Sequence, residues 1–508
     1  MKIWLSVLLV FLGFLLSFGQ TSLQQIDLKM GKYGVGFNHY LTSDTTRTYQ
    51  RVFDWNNKRI PRPIPVSIWY PSTENRKLKS ITVLDYMRIL KEEEEWEYLP
   101  DSQLLNWFYY SNTVANQSHL KEQTKAFKDV KPASGRFPVI VYAPSYQASS
   151  IENFALCEYL ASHGYIVIAS PGRGTENRFL EGGTEKDMET QAADIDYLVK
   201  EIAKWPTADF NRIATVGFSF GGLSNVLAQQ RNSNIKAIVS LDGSVKYKYN
   251  TLKQSAFFNI QKVTVPFIHF AQKDIPDQVL KEDNLDASLN QQFEFYDSLV
   301  YSEAYQLKVH HLTHAYFSTL GVLFQDRDKR QDKSDMEIME SYQLVSLYTL
   351  KFLDCFLKND SAARSFLDNT PVENKIKEGL LSLQSKKPNG QSFSFRDFNE
   401  LMAKKQYENL PALYDSLLIK YPSLQFPEGN FNNLGLQLLF NPVTSKQGIN
   451  VFLLATWLFP NSANLFDSLG EAYLFVGDKS RAITNFEKSL GLYPDNQNAI
   501  DRLKQLRK

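Results

Sequence analysis

The chain has 508 residues, 43% hydrophobic and 22% charged, and its 56 basic side chains almost cancel its 55 acidic ones. That balance leaves no net field to steer the chain towards nucleic acid or an anionic membrane, and the length exceeds one modest domain, so two domains are expected. The two cysteines, Cys157 and Cys355, each stand in an apolar, helix-like context, which argues for buried thiols and against a bridge, a cysteine nucleophile or a metal site; no histidine pair has zinc-motif spacing.

Residues 1–19 open with one basic residue, Lys2, followed by an apolar run over 3–16 broken only by Ser6 and Gly13, then Ser17, Phe18 and Gly19. This pattern predicts a secretory signal peptide, because the apolar core is short for a spanning helix and small and polar residues follow it. No cysteine follows the cleavage zone, so no lipid anchor is expected, and no later stretch approaches the roughly 20 apolar residues that cross a bilayer. The mature chain is therefore expected to be exported, periplasmic or extracellular, without a transmembrane helix.

A first domain is expected over 25–384. Within it, short β-branched runs at 66–70, 139–143, 166–170, 213–216, 237–241 and 265–270 alternate with amphipathic runs at 152–163, 187–204, 223–230 and 336–357. Such alternation predicts an α/β fold, a mostly parallel sheet covered by helices on both faces. The segment 80–132 breaks the rhythm and is rich in aromatics (Trp96, Tyr98, Trp107, Phe108, Tyr109, Tyr110); it reads as a lid or cleft-lining insertion, or equally as a flap packed on the sheet. The acidic run Glu92 to Glu95 reads as the solvated face of a helix.

Residues 385–391 (Ser-Lys-Lys-Pro-Asn-Gly-Gln) read as a linker, and helix-only patterns fill 392–508. There Phe466, Leu469, Gly470, Tyr473, Ala482, Phe486, Ser489 and Pro494 fall at the spacings of a 34-residue tetratricopeptide repeat. Phe431, Leu434, Gly435, Leu438, Gly448, Phe452, Ala455 and Pro460 echo them one repeat earlier, a weaker copy lies at 401–422, and 500–506 can cap the stack. The C-terminal region thus resembles a short all-α tetratricopeptide array, a module that binds peptides or proteins or packs on its own neighbour.

The chemistry centres on Gly217-Phe218-Ser219-Phe220-Gly221, which stands between a strand-like and a helix-like run and forms a nucleophile elbow. Ser219 needs a base, and the base needs an acid, in the chain order Ser, Asp or Glu, His. His269 falls inside an apolar strand and reads as core, leaving His310, His311 and His314; His314 is preferred because Ala315-Tyr316-Phe317 can start a helix that locks its loop. Two aspartates end consecutive strands, Asp242 and Asp274, and on position alone the later is the more usual acid.

The stretches Arg62 to Pro71, Phe137 to Tyr142, Leu160 to Val167 and Gly217 to Gly222 together resemble the platelet-activating-factor acetylhydrolase and dienelactone-hydrolase-like group of α/β hydrolases, over roughly residues 30–360. In the acetylhydrolase branch the acid follows a Leu-Asp context after the nucleophile helix, so the resemblance implies Asp242, and His314 with Phe317 looks like its His-x-x-Phe. Members carry a His-Gly-x-Gly-like turn after the second of these stretches, whereas this chain reads Ala143-Pro144-Ser145-Tyr146-Gln147. The backbone N–H groups of Phe220 and, by position, Tyr146 are then the expected oxyanion donors. The resemblance implies a serine hydrolase acting on a lipid-like or short-chain ester without a cofactor. The altered turn also permits a rival reading, a hydrolase-fold binding protein whose repeats recruit a partner.

Overall fold

The computed structural model describes residues 21–507 except 57, 74–77, 283–285, 328–329, 391–392 and 422–423, so the expected signal segment lies outside the described residues. The chain divides into two compact units, 1–391 and 392–508.

The first unit is an α/β-hydrolase fold, built among the described residues on a ten-stranded sheet. Its strands are β1 (Gly34–Tyr49), β2 (Ile60–Ser72), β3 (Ala126–Lys128), β4 (Phe137–Ala143), β5 (Ile166–Ala169), β6 (Ala208–Phe218), β7 (Ile235–Leu241), β8 (Phe267–Ala271), β9 (Ala304–Val309) and β10 (Leu381–Lys386). They lie in the order β10-β9-β8-β7-β6-β4-β5-β2-β1-β3. From β5 through β4, β6, β7 and β8 to β9 every pairing is parallel. Strands buried on both faces read as continuous apolar runs, and β4 (FPVIVYA) and β5 (IVIA) are buried at every position. Alternate residues feed two cores: Ile140 and Tyr142 enter the one that includes Phe154, Tyr342 and Phe352, while Val139 and Val141 enter the one that includes Met188, Leu223 and Leu227.

β2 carries Pro61, Pro63 and Pro65 without breaking the sheet. β5 pairs only with Ser67, Ile68 and Trp69, so these prolines lie where β2 has outrun that neighbour, and their missing N–H leaves no ladder bond unmade on that side. Two expectations are corrected. Ser385 and Lys386 are not linker but the end of the edge strand β10, paired with Tyr305 and Ala304 of β9. The run Glu92 to Glu95 is not a solvated face, because Glu93, Glu94 and Glu95 are buried: Ser149 and Ser150 donate to Glu93, Arg178 donates to Glu94, and Tyr49 donates to Glu95 at 2.7 Å.

In the second unit the helices Phe395–Lys404, Leu410–Lys420, Glu428–Leu439, Ser445–Leu458, Ala463–Phe475, Lys479–Leu492 and Gln497–Leu506 surround one apolar core. Its glycines set the helix contacts: a Cβ on Gly435 would stand 2.6 Å from the Phe452 ring, and one on Gly470 would stand 2.7 Å from the Phe486 ring. Among the described residues no helix is long and apolar enough to cross a membrane.

Candidate active site

Ser219, Asp242 and His314 all stand beyond the carboxyl ends of parallel strands, where open α/β sheets bind their ligands. Ser219 links β6 to the helix Phe220–Arg231 with φ 51° and ψ −117°, a conformation that turns the chain sharply and lifts the hydroxyl off the sheet. The flanking glycines are required by close packing: a Cβ on Gly217 would lie 2.4 Å from the Gly221 carbonyl carbon, and one on Gly221 would lie 2.1 Å from the Ala143 oxygen.

The structure brings the three predicted side chains together. His314 Nε2 lies 2.9 Å from Ser219 Oγ, and His314 Nδ1 lies 2.5 Å from Asp242 Oδ2. Asp242 follows β7, has φ 38° and is fully buried. Its second oxygen accepts the Tyr247 hydroxyl at 2.8 Å and the Gln272 N–H at 3.0 Å. Burial pushes its carboxyl up, but the hydrogen bond and positive charge of His314, with the Gln272 N–H, more than offset this and hold it below the usual range. The imidazole is held further by Phe218, whose ring centroid is 5.0 Å away, and the Gln272 side chain accepts the His314 backbone N–H at 3.1 Å.

The alternatives go elsewhere. Asp274 pairs with Lys308 at the surface. His310 meets Ser382 at 2.6 Å, His311 faces Glu337 at 3.9 Å, and His269 is buried beside Ser240, where burial pulls its imidazole down to about 3. Among the described residues no group of three or more His, Cys, Asp or Glu could hold a metal ion.

Phe220 begins its helix, so its N–H has no intrahelical acceptor, and the N–H of Tyr146 is taken by no described residue. The Tyr146 ring packs edge-on against Phe220 at 6.0 Å, and its hydroxyl bridges the Leu180 carbonyl (3.1 Å) and the Gly182 N–H (3.0 Å). The turn preceding it rests on Glu152, which the sequence reading did not single out. Glu152 accepts the Ser145 N–H at 2.9 Å, the Ser145 hydroxyl, and the Tyr142 hydroxyl at 3.2 Å. Burial raises its carboxyl to about 7, against the lowering effect of Ser145, Tyr142 and the nearby His314. Tyr247, Gln272 and Glu152 carry no motif; the only sequence signal is that each lies in the segment following the carboxyl end of an apolar strand.

Residues 128–316 match the family described as X-Pro dipeptidyl-peptidase (S15 family). The matched segment is less than half of the chain and contains Ser219, Asp242 and His314. No curated protein matches the chain. Among solved structures it is similar to a ferulic acid esterase from Streptomyces cinnamoneus, at 16% identity and a TM-score of 0.46, over 71% of this chain and 99% of that one.

Two cavities meet this region. One, of about 380 Å³, is lined by Ser219, His314, Tyr247, Gln272, Val279 and Tyr316. The other, of about 660 Å³, is walled by Ser145, Gln147 and Glu152 on one side and by Trp96, Trp107 and Tyr110 of the 80–132 insertion on the other. Within 80–132, Val83, Tyr86 and Met87 pack in the core, while Trp96, Trp107, Phe108, Tyr109 and Tyr110 line this cavity.

Proposed function

We propose that this chain is an exported serine hydrolase that cleaves a carboxylic ester through an acyl-enzyme. The contact sequence from Ser219 through His314 to buried Asp242, 2.9 and 2.5 Å long, carries the reading. In it, Ser219 Oγ attacks the ester carbonyl as its proton passes to His314 Nε2, and Asp242 holds the Nδ1–H and stabilises the imidazolium. The negative carbonyl oxygen sits against the N–H groups of Phe220 and Tyr146. Collapse expels the alcohol, which takes the proton from Nε2; water then enters by the same route and releases the acid.

A lipid-like or short-chain acyl ester is the substrate class, on the resemblance to the acetylhydrolase and dienelactone-hydrolase group. The repeat-like spacing of Gly435, Phe452, Gly470 and Phe486 supports a tetratricopeptide array over 392–508, with a peptide or protein partner. The pattern of residues 1–19 supports export. A second reading, peptide-bond cleavage, is favoured by the S15 match over 128–316 and uses the same residues.

Turnover of p-nitrophenyl acetate and longer acyl esters, set beside Xaa-Pro anilides, tests both. Ester hydrolysis abolished by Ser219→Ala is the expected result. Cleavage of the anilides alone would replace the ester with the peptide, and no Ser219-dependent turnover of either would return the chain to the binding-protein reading.

A further inference from the structure

The turn that should present the second oxyanion donor lacks the glycines that such turns use, and its rigidity has to come from elsewhere. Three hydrogen bonds into one buried carboxylate supply it: the Ser145 N–H at 2.9 Å, the Ser145 hydroxyl, and the Tyr142 hydroxyl at 3.2 Å all reach Glu152. The same residue also ties down the segment that follows His314, because the Glu152 carbonyl accepts the Leu320 N–H at 3.1 Å. Its neighbour Asn153 repeats the connection. Asn153 donates to the Phe317 carbonyl at 3.0 Å and accepts the Thr319 N–H at 3.0 Å and the Tyr342 hydroxyl at 2.6 Å. Leu320, Thr319 and Phe317 belong to the segment that starts at His314. One step of backbone therefore fixes both the turn before Tyr146 and the stretch behind His314.

We propose that Glu152 is a positioning residue for the hydrolytic reaction, clamping the Ser145-Tyr146 turn so that the Tyr146 N–H meets the oxyanion in register with His314. The inference rests on the serine-hydrolase reading. A carboxylate is suited to the task because an ionised oxygen pair only accepts, matching three converging donors, whereas a protonated carboxyl brings a fourth donor into the cluster. The titratable groups facing it are His314 behind β9, Tyr142 on β4 and Tyr110 of the insertion, with the Glu94 and Arg178 ion pair across the cavity. Burial raises its carboxyl to about 7, so the clamp is complete above that pH and loosens below it. Part of the loss of activity on the acid side then reflects protonation of Glu152.

The test compares the full-length wild type with Glu152→Gln and Ser145→Ala, using p-nitrophenyl acetate, fluorophosphonate labelling of Ser219 and thermal unfolding. Glu152→Gln should lower kcat by about 10- to 100-fold with KM changed less than about threefold, the scale expected when an oxyanion donor is misplaced. Its acid limb of kcat/KM should also become shallower than that of the wild type. Ser145→Ala keeps the backbone bond and should lose activity more mildly, which tests the clamp even where Glu152→Gln fails to fold. A folded Glu152→Gln with wild-type kcat and an unchanged acid limb, or a fully active Ser145→Ala if the former does not fold, would overturn the inference alone. A wild type that the fluorophosphonate does not label would instead overturn the hydrolase reading beneath it.

Discussion

Asp242 and Asp274 follow neighbouring strands, yet of the two only Asp242 contacts His314. Asp242 is fully buried, contacts Nδ1 at 2.5 Å and is fed by two further donors, whereas the Asp274 side chain is 60% exposed and paired with Lys308. Asp242→Asn keeps the shape but presents an amide that cannot hold the imidazole in the required tautomer or balance its charge. It should lower kcat by on the order of 10⁴-fold. Asp274→Asn should stay within about threefold of the wild type, since surface ion pairs contribute about 1 kcal/mol or less. Steady-state kinetics on one ester compares the two, and equal losses would reassign the acid.

At the scale of elements, the elbow depends on where glycine lets two backbones touch. A Cβ on Gly221 would stand 2.1 Å from the Ala143 oxygen, so Gly221→Ala has to displace either the helix that Phe220 begins or the end of β4, which leads to Tyr146, and with them the two proposed oxyanion donors. Activity should fall about 100-fold or more while the chain remains folded by circular dichroism. In the second unit Gly470→Ala would press on Phe486, a clash expected to cost about 1–3 kcal/mol and to lower an unfolding transition of that unit without slowing ester turnover. The parallel strands β4 to β8 were legible because β-branched residues run unbroken where both faces are buried, and the elbow was legible because its glycines are a steric need. β1 was not: Thr, Ser and Asp hold six of its sixteen residues, and its burial pattern lacks a clean alternation. Nor was the buried acidic run, since a string of glutamates looks solvated until Arg178, Tyr49 and two serines arrive from distant segments. Asp242 shows the same limit within the site, because position alone favoured Asp274 and only the fold shows which carboxylate faces the imidazole.

For the whole molecule, the buried titratable groups make stability depend on pH in a definite direction. Burial raises Glu93, Glu152 and Glu158 from 4.5 to about 7, so between those values the folded chain keeps protons that the unfolded chain has released, and rising pH costs stability. His39 and His269 act oppositely: burial lowers them from 6.5 to about 4 and about 3, so below 6.5 the unfolded chain takes up protons that the folded one refuses. Three carboxyls outnumber two imidazoles, so between about pH 5 and 6.5 the histidines offset only part of the decline, and from about 6.5 to 7 the carboxyls act almost alone. Tm of the hydrolase unit should therefore fall as pH rises through about 6 to 7 and level off above that; a steady rise over that range would contradict the burial of these acids. Whether Ser219 is an activated nucleophile is read by treating the full-length chain and Ser219→Ala with a fluorophosphonate and mapping the adduct by peptide mass. A stoichiometric adduct on Ser219, absent in the variant, is the predicted result, and an unlabelled, folded wild type would contradict it.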